Sequence, residues 1–148
     1  MAETYKHQNA TLTAGTLVYY KDQDAEETAF KLWNGLTNIG DIGTSGTFQA
    51  DTTIADTTNT YIPGMKDTAE MEFEFYLYAA DENQTELRDK ANNGENVTIR
   101  IEWPSGDIGT FNAALNGFSI VGSSNEDGIK GKIGLRVSGD TTWTKKGA

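Results

Sequence analysis

Apolar and polar residues alternate along much of this chain, most clearly in Glu70 to Tyr78, EMEFEFYLY. Met71, Phe73, Phe75 and Leu77 fall at odd positions, and Glu70, Glu72, Glu74, Tyr76 and Tyr78 at even ones. A strand sends successive side chains to opposite faces, so this run predicts a core-facing strip backed by three carboxylates and two amphipathic rings. The same pattern predicts a first strand over Leu12 to Tyr20, another over Val97 to Trp103, and a last one after Gly128. In that last strand Ile129, Ile133, Leu135 and Val137 alternate with Lys130, Lys132 and Arg136, giving it a basic face. Phe111, Ala113 and Leu115 are odd whereas Phe118 and Ile120 are even, a change of parity that a bulge at Asn116-Gly117 absorbs. Phe30, Leu32 and Trp33 precede Asn34-Gly35, which suits a tight hairpin turn returning through Leu36 to Ile42.

One helix is expected. Asp81 can cap its first turn, Gln84 stands three residues on as in a capping box, and Glu86 with Lys90 forms an i, i+4 pair before Asn92-Asn93-Gly94 ends it. With only Leu87 and Ala91 as clear apolar contacts, such a helix must lean on the sheet. The sum is a mainly β chain: an antiparallel β-sandwich or open barrel of about seven strands with one short flanking α-helix.

Residues 43–67 break the alternation. Thr residues crowd this stretch around isolated Phe48 and Ile54, and it leaves through Tyr61-Ile62-Pro63-Gly64-Met65. A structureless loop of this length is uncommon inside a compact domain, and the β-branched content argues against simple disorder. The expectation is a long projecting loop or hairpin that becomes ordered against another subunit. Residues 1–11 read as a polar N-terminal arm and residues 139–148 as a polar C-terminal tail carrying Trp143.

Composition narrows the function. The chain's 148 residues make one domain, with no Cys and a single His, His7, so disulfide scaffolds, thiol catalysis and His/Cys zinc sites are excluded. Twelve Lys and Arg against twenty-two Asp and Glu give a net charge of -10, which repels nucleic acid rather than gripping it. No apolar run approaches the roughly 20 residues that cross a bilayer, and the start lacks a signal-peptide pattern, so a soluble protein made in the cytoplasm is expected. No nucleophile elbow, HExxH, Walker A or GxGxxG pattern occurs, and the acidic run Lys21 to Glu27 lacks the spacing of a calcium loop. Neither catalysis nor a cofactor or metal is expected.

The order of motifs carries a resemblance. Ile39-Gly40-Asp41-Ile42, the Thr- and Asp-rich loop, Tyr61-Ile62-Pro63-Gly64-Met65-Lys66-Asp67, the Glu and aromatic strand and the short helix come first. Ile99-x-Ile101-x-Trp103-Pro104-x-Gly106 and a Lys-rich strand with Ser138-Gly139 before Trp143 follow. Together, over Leu36 to Trp143, this resembles the tail tube protein (major tail protein) of long, non-contractile-tailed phages. The resemblance implies a single tail tube domain over 1–148, without an immunoglobulin-like extension, that forms hexameric rings stacking into a hollow tube for genome DNA. It implies assembly in the host bacterial cytoplasm and residence in the virion tail. The partners are further copies of the chain and tail terminator, tape measure and tail-tip proteins, with no membrane.

The same resemblance makes residues 43–67 the contact to the adjacent ring, with Phe48, Ile54, Tyr61, Ile62, Pro63 and Met65 as its candidate residues. Glu70, Glu72 and Glu74 are candidate lumen-facing acids, because a carboxylate-rich wall leaves DNA free to slide whereas a basic one binds phosphates. Two other readings stand beside this one. The first is an inner-tube ring protein of a contractile tail or type VI-like secretion system. The second is a carbohydrate-binding β-sandwich using Trp33, Trp103 or Trp143 as a stacking platform.

Overall fold

A computed structural model describes residues 9–11, 14–68, 70–122, 125 and 128–146. Most of the expected N-terminal arm, including His7, lies outside the described residues, as do Leu12 and Ala69. Nine strands and one α-helix follow in order among the described residues: β1 (Leu17–Asp22), β2 (Lys31–Leu32), β3 (Leu36–Asn38), β4 (Ser45–Ala50), β5 (Tyr61–Asp67), β6 (Glu70–Tyr76), α1 (Glu82–Asn92), β7 (Asn96–Glu102), β8 (Asp107–Ile120) and β9 (Lys130–Lys145). Seven form one antiparallel sheet in the order β2-β1-β7-β8-β9-β6-β3, while β4 and β5 pair only with each other. The architecture is the expected mainly β one with a single flanking α-helix, the sheet being curled into a half-barrel.

The curl follows from connectivity. β2 and β3 are consecutive in the chain yet stand at opposite edges of the sheet. A flat sheet would separate these edges by six strand spacings, about 29 Å at ~4.8 Å each. The connection from Leu32 to Leu36 can span only about 14 Å. The edges must therefore approach each other.

Asn34-Gly35 is accordingly not a hairpin turn, because β2 and β3 do not pair. It is the crossing from one edge to the other: Trp33 N–H donates to Val18 O at 2.8 Å on the near side, and Tyr76 N–H donates to Gly35 O at 2.9 Å on the far side. Trp33 drops into the core at 2% exposure, 5.3 Å from the Phe73 ring and 5.6 Å, edge-on, from Phe75.

The core fills the concave side with Tyr20, Phe73, Phe75, Ile99, Ile101, Phe111, Ile133 and Leu135, the inward residues that alternation selects. Helix α1 presents Leu87 and Ala91 to this core and packs chiefly on β8. Asp81 caps it, accepting from the N–H groups of Asn83 and Gln84. Gln84 points into the protein instead of back to its cap. At 4% exposure, its side chain accepts from Tyr78 N–H at 2.8 Å and donates to Asn34 O at 3.0 Å and Tyr76 O at 2.7 Å. The helix start thus clasps the edge crossing to the end of β6.

Other boundaries also shift. The first strand begins at Leu17, five residues later than the apolar pattern suggests, and runs on through Lys21 and Asp22 because β7 pairs with it as far as Val97. The register of β8 slips between Leu115 and Gly117, where the parity change placed a bulge, and again between Thr110 and Asn112. Residues expected as a polar tail continue β9 to Lys145, since β8 supplies a partner from Asp107 to Thr110.

Candidate functional site

The expected loop over 43–67 is a built hairpin. β4 and β5 pair from Ser45↔Asp67 to Ala50↔Tyr61, and neither strand packs extensively on any other element. Pro63-Gly64 lies inside β5, with the register shifting between Gly46 and Phe48 opposite. The strand tolerates Pro63 because a two-stranded ribbon has free edges, where a missing N–H costs nothing. Gly64 is required there: a Cβ would lie 2.7 Å from Thr47 O.

The tip, residues 51–60, is held by its own side chains. Asp51 N–H donates to Thr60 O at 3.1 Å, and Thr60 Oγ1 to Asp51 Oδ1 at 2.7 Å. Thr60 N–H donates to Thr52 Oγ1 at 2.9 Å, and Thr53 N–H to Asp56 Oδ2 at 2.8 Å. The Thr and Asp residues of this stretch are the bonding material of the turn.

What the hairpin exposes is apolar. Phe48 is 76% and Met65 91% exposed, Ile54 is fully exposed, and Tyr61, Ile62 and Pro63 also face outward. Isolated exposed hydrophobics are ordinary, but here several are gathered on one ribbon. All six residues expected to make inter-ring contacts are thereby carried on one projecting element. At its root Thr68 Oγ1 donates to Val137 O at 2.6 Å and Arg136 Nη2 lies 3.4 Å from Asp67 Oδ1.

Glu70, Glu72 and Glu74 lie on the outward face of β6, opposite to buried Phe73 and Phe75. They do not stand alone. β9 lies alongside, pairing Glu70 with Arg136 and Glu74 with Lys132, and Lys132 Nζ reaches to 3.5 Å from Glu72 Oε2. Lys130 Nζ sits 5.2 Å from the centre of the Tyr76 ring. Three carboxylates thus share their face with Lys130, Lys132 and Arg136, which balances its charge instead of leaving it acidic. The sequence separated these strands by more than fifty residues, so alternation within β6 could not reveal the neighbour's sign.

At the hairpin end of the barrel, Trp103 and Trp143 stack with ring centres 5.7 Å apart. They line an open groove of about 880 Å³ with Val18, Leu36, Ile39 and Ile42. Asp107, at the groove's edge, is held below the ordinary carboxylate range by hydrogen bonds from Lys145 and Ser105. A sugar platform needs a free ring face. Trp33 is buried, and Trp103 and Trp143 give one face to each other. Among the described residues no group of three or more His, Asp or Glu is arranged to hold a metal ion. No described helix is long and apolar enough to cross a membrane.

Solved structures share this fold. The SPP1 tail tube superposes with a TM-score of 0.66 at 14% identity, over 88% of this chain and 77% of that one. The tail of an empty GTA particle gives 0.68 at 16% identity, over 91% and 99%. A chain of the sheath/tube terminator of PVC, an extracellular contractile injection system, gives 0.64 at 12% identity, over 93% and 98%. At such identities these likenesses speak for the fold alone. No curated protein sequence matches the chain. Residues 33–144 match the family described as lambda phage tail tube protein, TTP. That match takes in the edge crossing, the hairpin, the central strand, the helix and the Trp103–Trp143 stack, and the chain belongs to the lambda phage tail tube protein family.

Proposed function

We propose that this chain closes into hexameric rings, and that the rings stack into the hollow tube of a long, non-contractile tail that delivers genome DNA. Membership of the family makes it a structural tail tube protein of the virion tail, not an enzyme. The observation that carries the stacking step is the detached β4–β5 hairpin, which exposes Phe48, Ile54 and Met65 and packs extensively on no other described element. Six-fold closure is supported by the GTA tail, which has C6 symmetry. The family's own name favours a lambda-like tail. The contractile reading rests on the PVC likeness, and a sheath gene beside this one would favour it.

For the tube wall we assign the outward face of β6 and β9 to the lumen, because no other described element of the chain covers it. DNA sliding there does not need a uniformly acidic wall. It needs cations that are already neutralised, and Lys132 and Arg136 lie beside Glu72 and Asp67. The ends of such a tube would meet terminator, tape measure and tail-tip proteins.

Electron microscopy of purified protein or virions tests the assembly directly. Removing Asp51 to Thr60 should leave a folded monomer that builds no tubes, since the tip's hydrogen bonds described above are made within the tip. Normal tubes from this deletion would refute the hairpin's role, and an unfolded product would show that the segment belongs to the core.

A further inference from the structure

Stacking identical copies head to tail requires a donor surface at one end of the molecule and a different acceptor at the other. The hairpin leaves the barrel where β6 begins, at Thr68 and Asp67 beside Arg136 and Val137. The opposite end of the same strands is where Tyr76 pairs with Lys130 and Ile120 with Gly131. From Glu70 to Tyr76 is six residue steps, about 20 Å.

That far end carries an apolar rim. Ile120 is 60% and Ile129 62% exposed. Leu77 and Phe118, both half-buried, converge over Gly131: a Cβ there would lie 2.6 Å from the Phe118 ring and 3.2 Å from Leu77. Cations flank the rim. The Arg88 guanidinium stands 6.0 Å from the centre of the Phe118 ring, and Lys130 lies over Tyr76 on the other face of the sheet.

We propose that this rim of Leu77, Phe118, Ile120 and Ile129 is the acceptor for the β4–β5 hairpin of a second copy of this chain. The inference rests on the tube reading above and names the surface that completes it. Charge supports the pairing: the hairpin tip holds Asp51 and Asp56 and no Lys or Arg, whereas Arg88 and Lys130 border the rim. Placement supports it too. The Trp103–Trp143 groove lies at the hairpin's own end, where a Cβ added at Gly43 would lie 3.8 Å from the Trp143 ring, so it does not face the arriving hairpin of a copy stacked along the strand direction.

The chain has no Cys, so introduced pairs report without background. Ile54→Cys with Ile129→Cys, in assembled tubes treated with a short bismaleimide, should give a ladder of covalent multimers, because every copy is both donor and acceptor. A mixture of the two single variants should stop at dimers. Ile54→Cys with Trp143→Cys should give neither. If the first pair does not assemble, Ala55→Cys with Ile120→Cys replaces it. Tubes seen by microscopy with no ladder from either rim pair, or with a ladder only from the Trp143 pair, would overturn the acceptor assignment. Absence of any tube from the unaltered protein under every assembly condition would instead overturn the tube reading itself.

Discussion

The clasp made by Gln84 gives the sharpest test of how the half-barrel is held shut. Gln84→Leu keeps the side-chain volume but removes the acceptor of Tyr78 N–H and the donor to Asn34 O and Tyr76 O. A buried polar group left without its partner costs about 1–3 kcal/mol. Carbonyls retain a second lone pair and some reach water, so the three losses together come to about 3–4 kcal/mol. Greater apolar burial by Leu returns about 1 kcal/mol. A net loss of about 2–3 kcal/mol corresponds to a fall in Tm of about 5–10 °C for a domain of this size. Urea unfolding should show the midpoint falling with the slope unchanged. Both measurements belong on dilute, unassembled protein, because assembly adds stability by mass action. A loss under about 0.5 kcal/mol would refute the reasoning, since it is what an uninvolved surface position gives.

Gly64→Ala should disrupt the hairpin alone, because its Cβ would sit 2.7 Å from Thr47 O, far from the barrel core; tube formation should fail while the melting of the barrel, followed by near-ultraviolet circular dichroism, stays put. Stability should fall in alkali. Burial pushes the Tyr20 hydroxyl well above its ordinary 10.0, with Glu86 adding to the effect. For Lys90 burial acts downward, but the hydrogen bond and charge of Asp22, with Glu95 and Glu86, outweigh it and raise the amine above 10.5. Above about pH 10 the unfolded chain therefore releases protons that the folded chain still holds, so stability is full below that range and declines as pH rises through the folded values. Lys90→Met should flatten part of the decline in Tm measured from pH 9 to 12, and an unchanged slope would count against the Asp22 pair. Glu72→Lys with Glu74→Lys should leave tube length unchanged but slow DNA ejection, and normal ejection kinetics would sink the lumen assignment.

Period-two alternation was enough to place β6, β7 and the first half of β9, because in a sheet with one buried face the choice of face is written into every second residue. The bulge near Gly117 was legible for the same reason, as parity cannot change without an extra residue. The helix could be read from its cap and from Leu87 and Ala91. The exposed anchors Phe48, Ile54 and Met65 stood out as apolar residues that no period explained.

What the tertiary structure decided is everything that depends on which strand lies beside which. Asn34-Gly35 has the chemistry of a hairpin turn, but the sheet's closure made it an edge crossing, because a local dipeptide carries no information about a strand six places away. Gln84 satisfies the pattern of a capping box, yet two open carbonyls and an N–H at the edge draw its amide inward. The carboxylates of β6 are visible in the sequence, but the charge of their face is not, since Lys132 and Arg136 arrive only through pairing with β9. The rim of Leu77, Phe118, Ile120 and Ile129 likewise exists only after β6, β8 and β9 end together. Sequence determines the character of each strand's two faces; long-range pairing determines what those faces meet, and it is there that the surfaces for assembly arise.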